Sequence, residues 1–346
     1  MILSALCLAG CSESEDMPAA SGNAIGFSAT APKGSRASAT TTATLQDFVV
    51  YAYSDTEQIM DGVVVSRNGG SWTYSPPVYW PASTVDFYAL SPKIDGREGE
   101  TSTSTADDNI IRGITYGSTD LLYAVSLNQH EQPTPVNLTF RHAMSKVAVM
   151  LSSTNSKYDV RVQYVLLKNI YLKGDYSLPN QTTSETGAVG QWSNVTQNAD
   201  AMILYAAEEP ISLTTTPTDV TENNLDASFF VPQKLEPFVF SKTGNFSGSY
   251  LEIDCEIIDK ATGERIWPSE HTPDYLLLQS SSFGRMLFPL STDDVASWEQ
   301  GYSYVYNVVI NNSYIVDTIE FQPGVIDFTT AVSYTHLRAH ETTLHL

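Results

Sequence analysis

The chain has 346 residues, with 39 acidic against 18 basic side chains and a formal net charge of −21. That imbalance excludes a nucleic-acid partner, whose phosphates require a basic surface, and suits a self-repelling extracellular surface. The length corresponds to about two domains by the usual domain-size range, enough to bury a core without covalent staples.

The first element is an apolar run, Ile2 to Ala9, closed by Gly10-Cys11 and followed by Ser12-Glu13-Ser14-Glu15-Asp16. It is too short to span a bilayer and reads as the h-region of a signal peptide over residues 1–10. No Lys or Arg precedes it, so the signal is expected to be incomplete and Met1 not to be the true start. Leu8-Ala9-Gly10-Cys11 resembles the lipobox of bacterial lipoproteins, which implies signal cleavage between Gly10 and Cys11 and acylation of the Cys11 thiol. The acidic run after it resembles the signal that exports lipoproteins of the Bacteroidota to the outer face of the outer membrane. The expected location is therefore the cell surface, with outer-membrane lipid as a partner through Cys11. One acylated residue anchors a chain and does not span the bilayer. Of three cysteines, Cys7 leaves with the signal and Cys11 is acylated, so Cys255 stands alone and an intrachain disulfide is excluded.

Residues 11–44 read as a leader or linker, rich in Ser, Thr, Ala and Gly. One strand-like island interrupts it, Ala24-Ile25-Gly26-Phe27-Ser28, and a basic loop follows, Pro32-Lys33-Gly34-Ser35-Arg36-Ala37. Beyond Phe48 the apolar pattern is short and mostly of period two. Strands are expected at Phe48–Tyr53, Val85–Leu90, Val136–Phe140 and Val147–Leu151, where β-branched and aromatic residues crowd between Gly, Pro, Asn and Asp. Leu251–Ile258 and Arg265–Trp267 read as a hairpin whose turn takes a positive φ at Gly263. Tyr302, Tyr304, Tyr306, Val308 and Ile310 are expected on one face of a long strand. No amphipathic helix of useful length stands out. Many short strands with regular turn signals predict an all-β protein of two sandwiches, residues 45–153 and 154–331, divided in the polar stretch Ser152 to Asp159.

The tail, Val332 to Leu346, resembles one reading frame of a sequencing-library adapter and is set aside from the fold. It holds His336, His340 and His345, and its His340-Glu341-Thr342-Thr343-Leu344-His345 run has one residue too many for the zinc-binding HExxH spacing. No metal site, no cofactor and no catalytic residue is expected. There is no nucleophile elbow and no P-loop. Asp107-Asp108 and Asp293-Asp294 read as solvated turns without the alternating oxygen ligands of a calcium loop. His142, between Phe140 and Ser145-Lys146, reads as a structural histidine with no carboxylate in a recognisable motif beside it. Trp72, Tyr79, Trp80, Phe87 and Tyr88 read as core rings, with a surface platform for stacking sugars as the alternative. Pro77, Pro81 and Pro92 mark strand ends or edges.

Four stretches together resemble the fimbrillin family, the lipoprotein-derived pilins of Bacteroidota. They are Trp72-Thr73-Tyr74-Ser75-Pro76-Pro77-Val78-Tyr79-Trp80-Pro81 with Val85–Pro92; Asp120–Ala124 with Leu138–Lys146; Phe230-Val231-Pro232-Gln233; and Trp298-Glu299-Gln300-Gly301-Tyr302 leading into Tyr304–Ile310. Each is weak alone, while their order and spacing cover almost the whole mature chain.

The resemblance implies two tandem transthyretin-like β-sandwich domains and a subunit with no enzymatic role. It also implies maturation by an Arg-specific protease that removes the first strand, after which a strand from a neighbouring subunit fills the vacated groove. On this chain the matching positions are cleavage between Arg36 and Ala37, with Ile25 and Phe27 on the buried face of the removable strand. The expected partners are other fimbrial subunits, the maturation protease, and ligands on host or bacterial surfaces. The alternatives are a permanently lipid-anchored fimbrial base, a tip adhesin, or a surface glycan-binding lipoprotein.

Overall fold

Residues 23–31, 44–92, 109–197, 201–221, 228–279, 282–310 and 320–327 are described by the computed structural model. Among them the protein is all β, with a single 3-10 turn at Asp274–Leu276. The first strands are β1 (Phe27–Thr30), β2 (Asp47–Ser54), β3 (Gln58–Asn68), β4 (Ser71–Thr73) and β5 (Val85–Ser91). Then come β6 (Ile110–Thr115), β7 (Leu122–Gln129), β8 (Val136–Thr139) and β9 (Arg141–His142). Next are β10 (Ser145–Ser153), β11 (Tyr158–Lys168), β12 (Tyr171–Ser177), β13 (Gln191–Gln197) and β14 (Ala201–Ser212). Short strands follow, β15 (Thr218–Asp219), β16 (Phe229–Phe230) and β17 (Gln233–Lys234). The last are β18 (Tyr250–Asp259), β19 (Arg265–Trp267), β20 (Gly284–Pro289), β21 (Ser297–Trp298), β22 (Tyr302–Ile310) and β23 (Glu320–Asp327).

A six-stranded sheet, in the order β4-β3-β2-β5-β7-β9, is apolar on both faces. Phe48, Val50, Phe87, Ala89, Leu122 and Ala124 point to one side, where they join Val136 and Leu138 of β8. Val49, Tyr51, Tyr88, Leu90, Tyr123 and Val125 point to the other, where they meet Ile111, Ile114 and Tyr176. That second cover is the sheet β13-β12-β6. Burial on both faces explains why Phe48–Tyr53 and Val85–Leu90 are continuous apolar runs rather than strict alternations.

The third core lies between two five-stranded sheets, β15-β10-β22-β23 with β16 on β10, and β14-β11-β18-β19 with β20 on β18. Val147, Val149 and Leu151 of β10 and Tyr304, Tyr306 and Val308 of β22 face Val160, Val162 and Leu167 of β11 and Leu251, Ile253 and Ile257 of β18. β10 and β22 run parallel, with Val147 opposite Tyr304 and Leu151 opposite Val308. Cys255 of β18 is buried in this core as a free thiol, and burial pushes its pKa up, which keeps it an inert apolar filler.

The expected β18–β19 hairpin is present. Gly263, at φ +72°, donates its N–H to Asp259 at 2.8 Å, and Asp259 donates to Glu264 at 2.8 Å. The β22 face holds as expected from Tyr304 to Ile310, but Tyr302 is exposed because it lies at the strand's open start beside the turn at Gly301. Strand pairings cross the line between residues 153 and 154. β10, ahead of it, pairs with β22, and β12, beyond it, pairs with β6 in the register Gly174 to Ile114. Residues 154–157 connect β10 to β11, and β9, the last strand of the six-stranded sheet, ends just before β10 begins in the sheet that it shares with β22.

Candidate functional site

Residues 23–31 lie in a groove on the six-stranded sheet. Ile25, Phe27 and Ala29 are 2%, 5% and 8% exposed, and Ala24, Gly26, Ser28 and Thr30 point outward. This is the period-two pattern of a strand with one buried face. Phe27 sits deepest among rings, with centroids 5.7 Å from Phe87, 5.7 Å from Tyr74 and 6.3 Å from Phe48. Trp80 packs edge to face on Phe87, and Phe140 tilts against Phe48.

The segment is held by two walls of opposite sense. Residues 23–25 pair antiparallel with 78–80: Ile25 N–H donates to Val78 at 2.9 Å and Trp80 N–H to Asn23 at 3.1 Å. Residues 27–30 pair parallel with β8, with Phe27 opposite Val136 and Thr30 opposite Thr139. Val136 N–H donates to the Gly26 carbonyl at 2.8 Å and Phe140 N–H to that of Thr30 at 2.7 Å. Tyr74 closes the first wall, its hydroxyl donating to the Ile25 carbonyl at 2.7 Å and accepting from Val78 N–H at 3.3 Å. Burial raises the Tyr74 pKa against the opposing pull of its Val78 contact, so the hydroxyl stays protonated and can donate.

The groove is therefore apolar in its floor and lined along both rims by backbone groups that need partners. Emptied, it would expose several aromatic side chains together with two unpaired strand edges, a combination that drives strand addition. The far edge of the same sheet is closed differently. Thr183 donates its N–H to Val125 at 2.8 Å and its hydroxyl to Thr139 at 2.6 Å, and its oxygen accepts from Val125 N–H at 3.0 Å. Thr182 accepts from Leu127 N–H at 3.0 Å.

Among the residues expected from sequence, Ile25 and Phe27 occupy this groove. Gly10, Cys11, Arg36 and Ala37 lie outside the described residues, as do Asp107-Asp108 and the 332–346 tail. Trp80, Phe87 and Tyr88 are core rings and Trp72 is half-buried against Phe48, but Tyr79 is 43% exposed. The antiparallel bridge of Tyr79 to Ala24 turns its side chain outward between the inward Val78 and Trp80. His142 is buried and its Nδ1 is bonded to Asp120 Oδ2, a carboxylate that sequence reading did not connect to it. Tyr74 was likewise inconspicuous, as one more ring in an aromatic stretch.

A family model described as fimbrillin-like matches residues 20–326. No curated protein matches the chain. Among solved structures, a fimbrial protein of Bacteroides vulgatus is similar at 15% identity and a TM-score of 0.54, over 88% of this chain and 99% of that one. A putative cell adhesion protein of Bacteroides uniformis is similar at 16% identity and a TM-score of 0.50, again over 88% of this chain and 99% of that one. At such identities the solved structures speak for the fold, and the family match speaks for descent: the chain belongs to the fimbrillin-like family.

Proposed function

We propose that the protein is a non-enzymatic fimbrial subunit of the cell surface. It is delivered as a lipoprotein through Cys11 and matured by proteolysis between Arg36 and Ala37. It then polymerises by accepting a neighbouring subunit's strand in the groove vacated by residues 23–31. The observation that carries the reading is the seating of Ile25, Phe27 and Ala29. A nine-residue segment supplies three buried side chains to the core, and it is followed in sequence by residues 32–37, where Arg36 stands between Ser35 and Ala37. A strand so placed can leave as one piece and leave a complete site behind. The family match and the fimbrial and cell-adhesion relatives support the same reading at the coarser level of a surface adhesive subunit.

A permanently anchored base and a tip adhesin share this fold and differ in whether Cys11 and the first strand are retained. For the glycan-binding alternative, Trp80 is buried, Trp72 is half-buried against Phe48 at 4.9 Å, and Tyr79 is the exposed ring beside them. The test is Arg36→Ala in the producing cell. The variant is expected to accumulate as lipidated monomer, with the ladder of polymer bands lost. A normal ladder from Arg36→Ala would reject maturation at this site.

A further inference from the structure

The groove does more than accept any apolar strand. We propose that it reads an incoming strand of a second subunit by chain direction, by an aliphatic–x–aromatic–x–small pattern, and by one backbone carbonyl gripped by the Tyr74 hydroxyl. This rests on the reading that residues before Ala37 leave the groove. The present occupant, Ile25-Gly26-Phe27-Ser28-Ala29, displays each requirement.

Direction follows from the two walls. The rim at 78–80 is antiparallel to the occupant and β8 is parallel to it. Only a strand running in the sense of β1 meets both patterns in this register. Reversal changes both patterns at once. It also moves the first carbonyl away from Tyr74, whose hydroxyl donates to Ile25 at 2.7 Å.

The pattern follows from depth. The middle position is enclosed by the rings of Phe48, Tyr74 and Phe87, a space matched to an aromatic side chain. The third position, opposite Leu138, is filled by the methyl of Ala29 alone within the same packed core. A larger side chain there would have to be fitted into that packed core, at the cost of overpacking. Gly26 needs no such restriction, since a Cβ added to it would lie 3.8 Å from Pro135, an ordinary contact. Tyr74 thus acts as a positioning residue for the donor backbone, while Phe48 and Phe87 select its middle side chain.

The experiment uses the full chain with a site-specific protease sequence placed within residues 32–37, cut after folding. The freed N-terminal fragment is chased with a fluorescent peptide of residues 23–31, read by anisotropy. The native peptide is expected to exchange into the groove. Phe27→Ala in the peptide is expected to weaken it by at least about 100-fold, the loss of a buried ring. Ala29→Phe is expected to cost at least about fivefold through overpacking. Tyr74→Phe in the protein is expected to weaken the native peptide about 2- to 12-fold, the range of one neutral hydrogen bond. A peptide with a thioamide at the Ile25 carbonyl should lose affinity for the wild-type protein and none for Tyr74→Phe. Equal binding of the native, reversed and Ala29→Phe peptides would overturn the proposed selectivity while leaving strand addition standing. Failure of every peptide, the native one included, would instead reject the groove as an acceptor site.

Discussion

Phe27 meets Phe87 edge to face, with ring centroids 5.7 Å apart and planes at 81°. One ring belongs to β1 and the other to β5, an inner strand of the six-stranded sheet. The contact ties the first strand to the centre of the fold. In the uncut protein, Phe27→Ala is expected to cost about 3–5 kcal/mol of stability, the usual price of removing a buried ring. Ile25→Ala at the neighbouring position should cost about 2–5 kcal/mol. Val64→Ala, on an exposed position, should change stability by less than about 0.5 kcal/mol. Denaturant midpoints of the uncut chain measure all three, and a Phe27→Ala value near zero would contradict the described seating.

Thr183 serves three backbone groups with one residue, at the edge of β7. Thr183→Val keeps the shape and removes the hydroxyl, leaving Val125 N–H and the Thr139 carbonyl without it. The expected loss is about 1–3 kcal/mol, the cost of stranding a buried polar group. Thr183→Ser keeps the hydroxyl and should recover most of it. Hydrogen exchange at the Val125 amide checks the mechanism locally, with faster exchange expected in the valine variant alone.

Asp254 gives the fold a defined pH dependence. It sits on β18 between Glu252 and Glu256, opposite Tyr164 of β11 and Arg285 of β20, with Lys168 nearby and Cys255 facing away into the core. Burial, with Glu252 adding to it and Arg285 and Lys168 opposing it, raises its pKa from 3.8 to about 7. A carboxyl whose folded pKa is raised favours the folded state while protonated. Its favourable contribution is therefore present at acid pH and is lost as pH rises from 3.8 to about 7. Asp254→Asn should flatten that segment of the stability–pH curve and be more stable than wild type at pH 8. An unchanged slope in the variant would assign the dependence to other groups.

Gly248 carries φ +81°, and a Cβ added there would lie 2.0 Å from the Pro237 carbonyl oxygen. Gly248→Ala should therefore destabilise by about 3 kcal/mol, combining left-handed backbone strain with overpacking. Gly26→Ala, just ahead of β1, should be close to neutral, since a Cβ there would lie 3.8 Å from Pro135. Thermal unfolding of the two variants side by side separates a required glycine from a permissive one.

Much of the strand content was legible because β-branched and aromatic runs stood between turn residues: Phe48–Tyr53 became β2 and Val85–Leu90 became most of β5. The Gly263 hairpin was legible for the same local reason. Long-range contacts left no local mark. Tyr74 and Ile25 are 49 positions apart and His142 and Asp120 are 22 apart, and nothing in either neighbourhood announces the pairing. Continuous apolar runs signalled burial on both faces but not which strands would cover them, so the β6–β12 pairing across residue 153 was not visible. Tyr79 and Tyr302 were misjudged by phase. Both are aromatic residues at places where a bridge or a turn, rather than the hydrophobic pattern, decides which way the side chain points.

The most direct measurement is mass spectrometry of the N-terminus of subunits taken from sheared, washed fibres. A terminus at Ala37, with residues 23–31 absent, is the result expected if the first strand is exchanged for a neighbour's. A lipidated Cys11 on every subunit in the fibre, with Ile25 and Phe27 still attached, would contradict it.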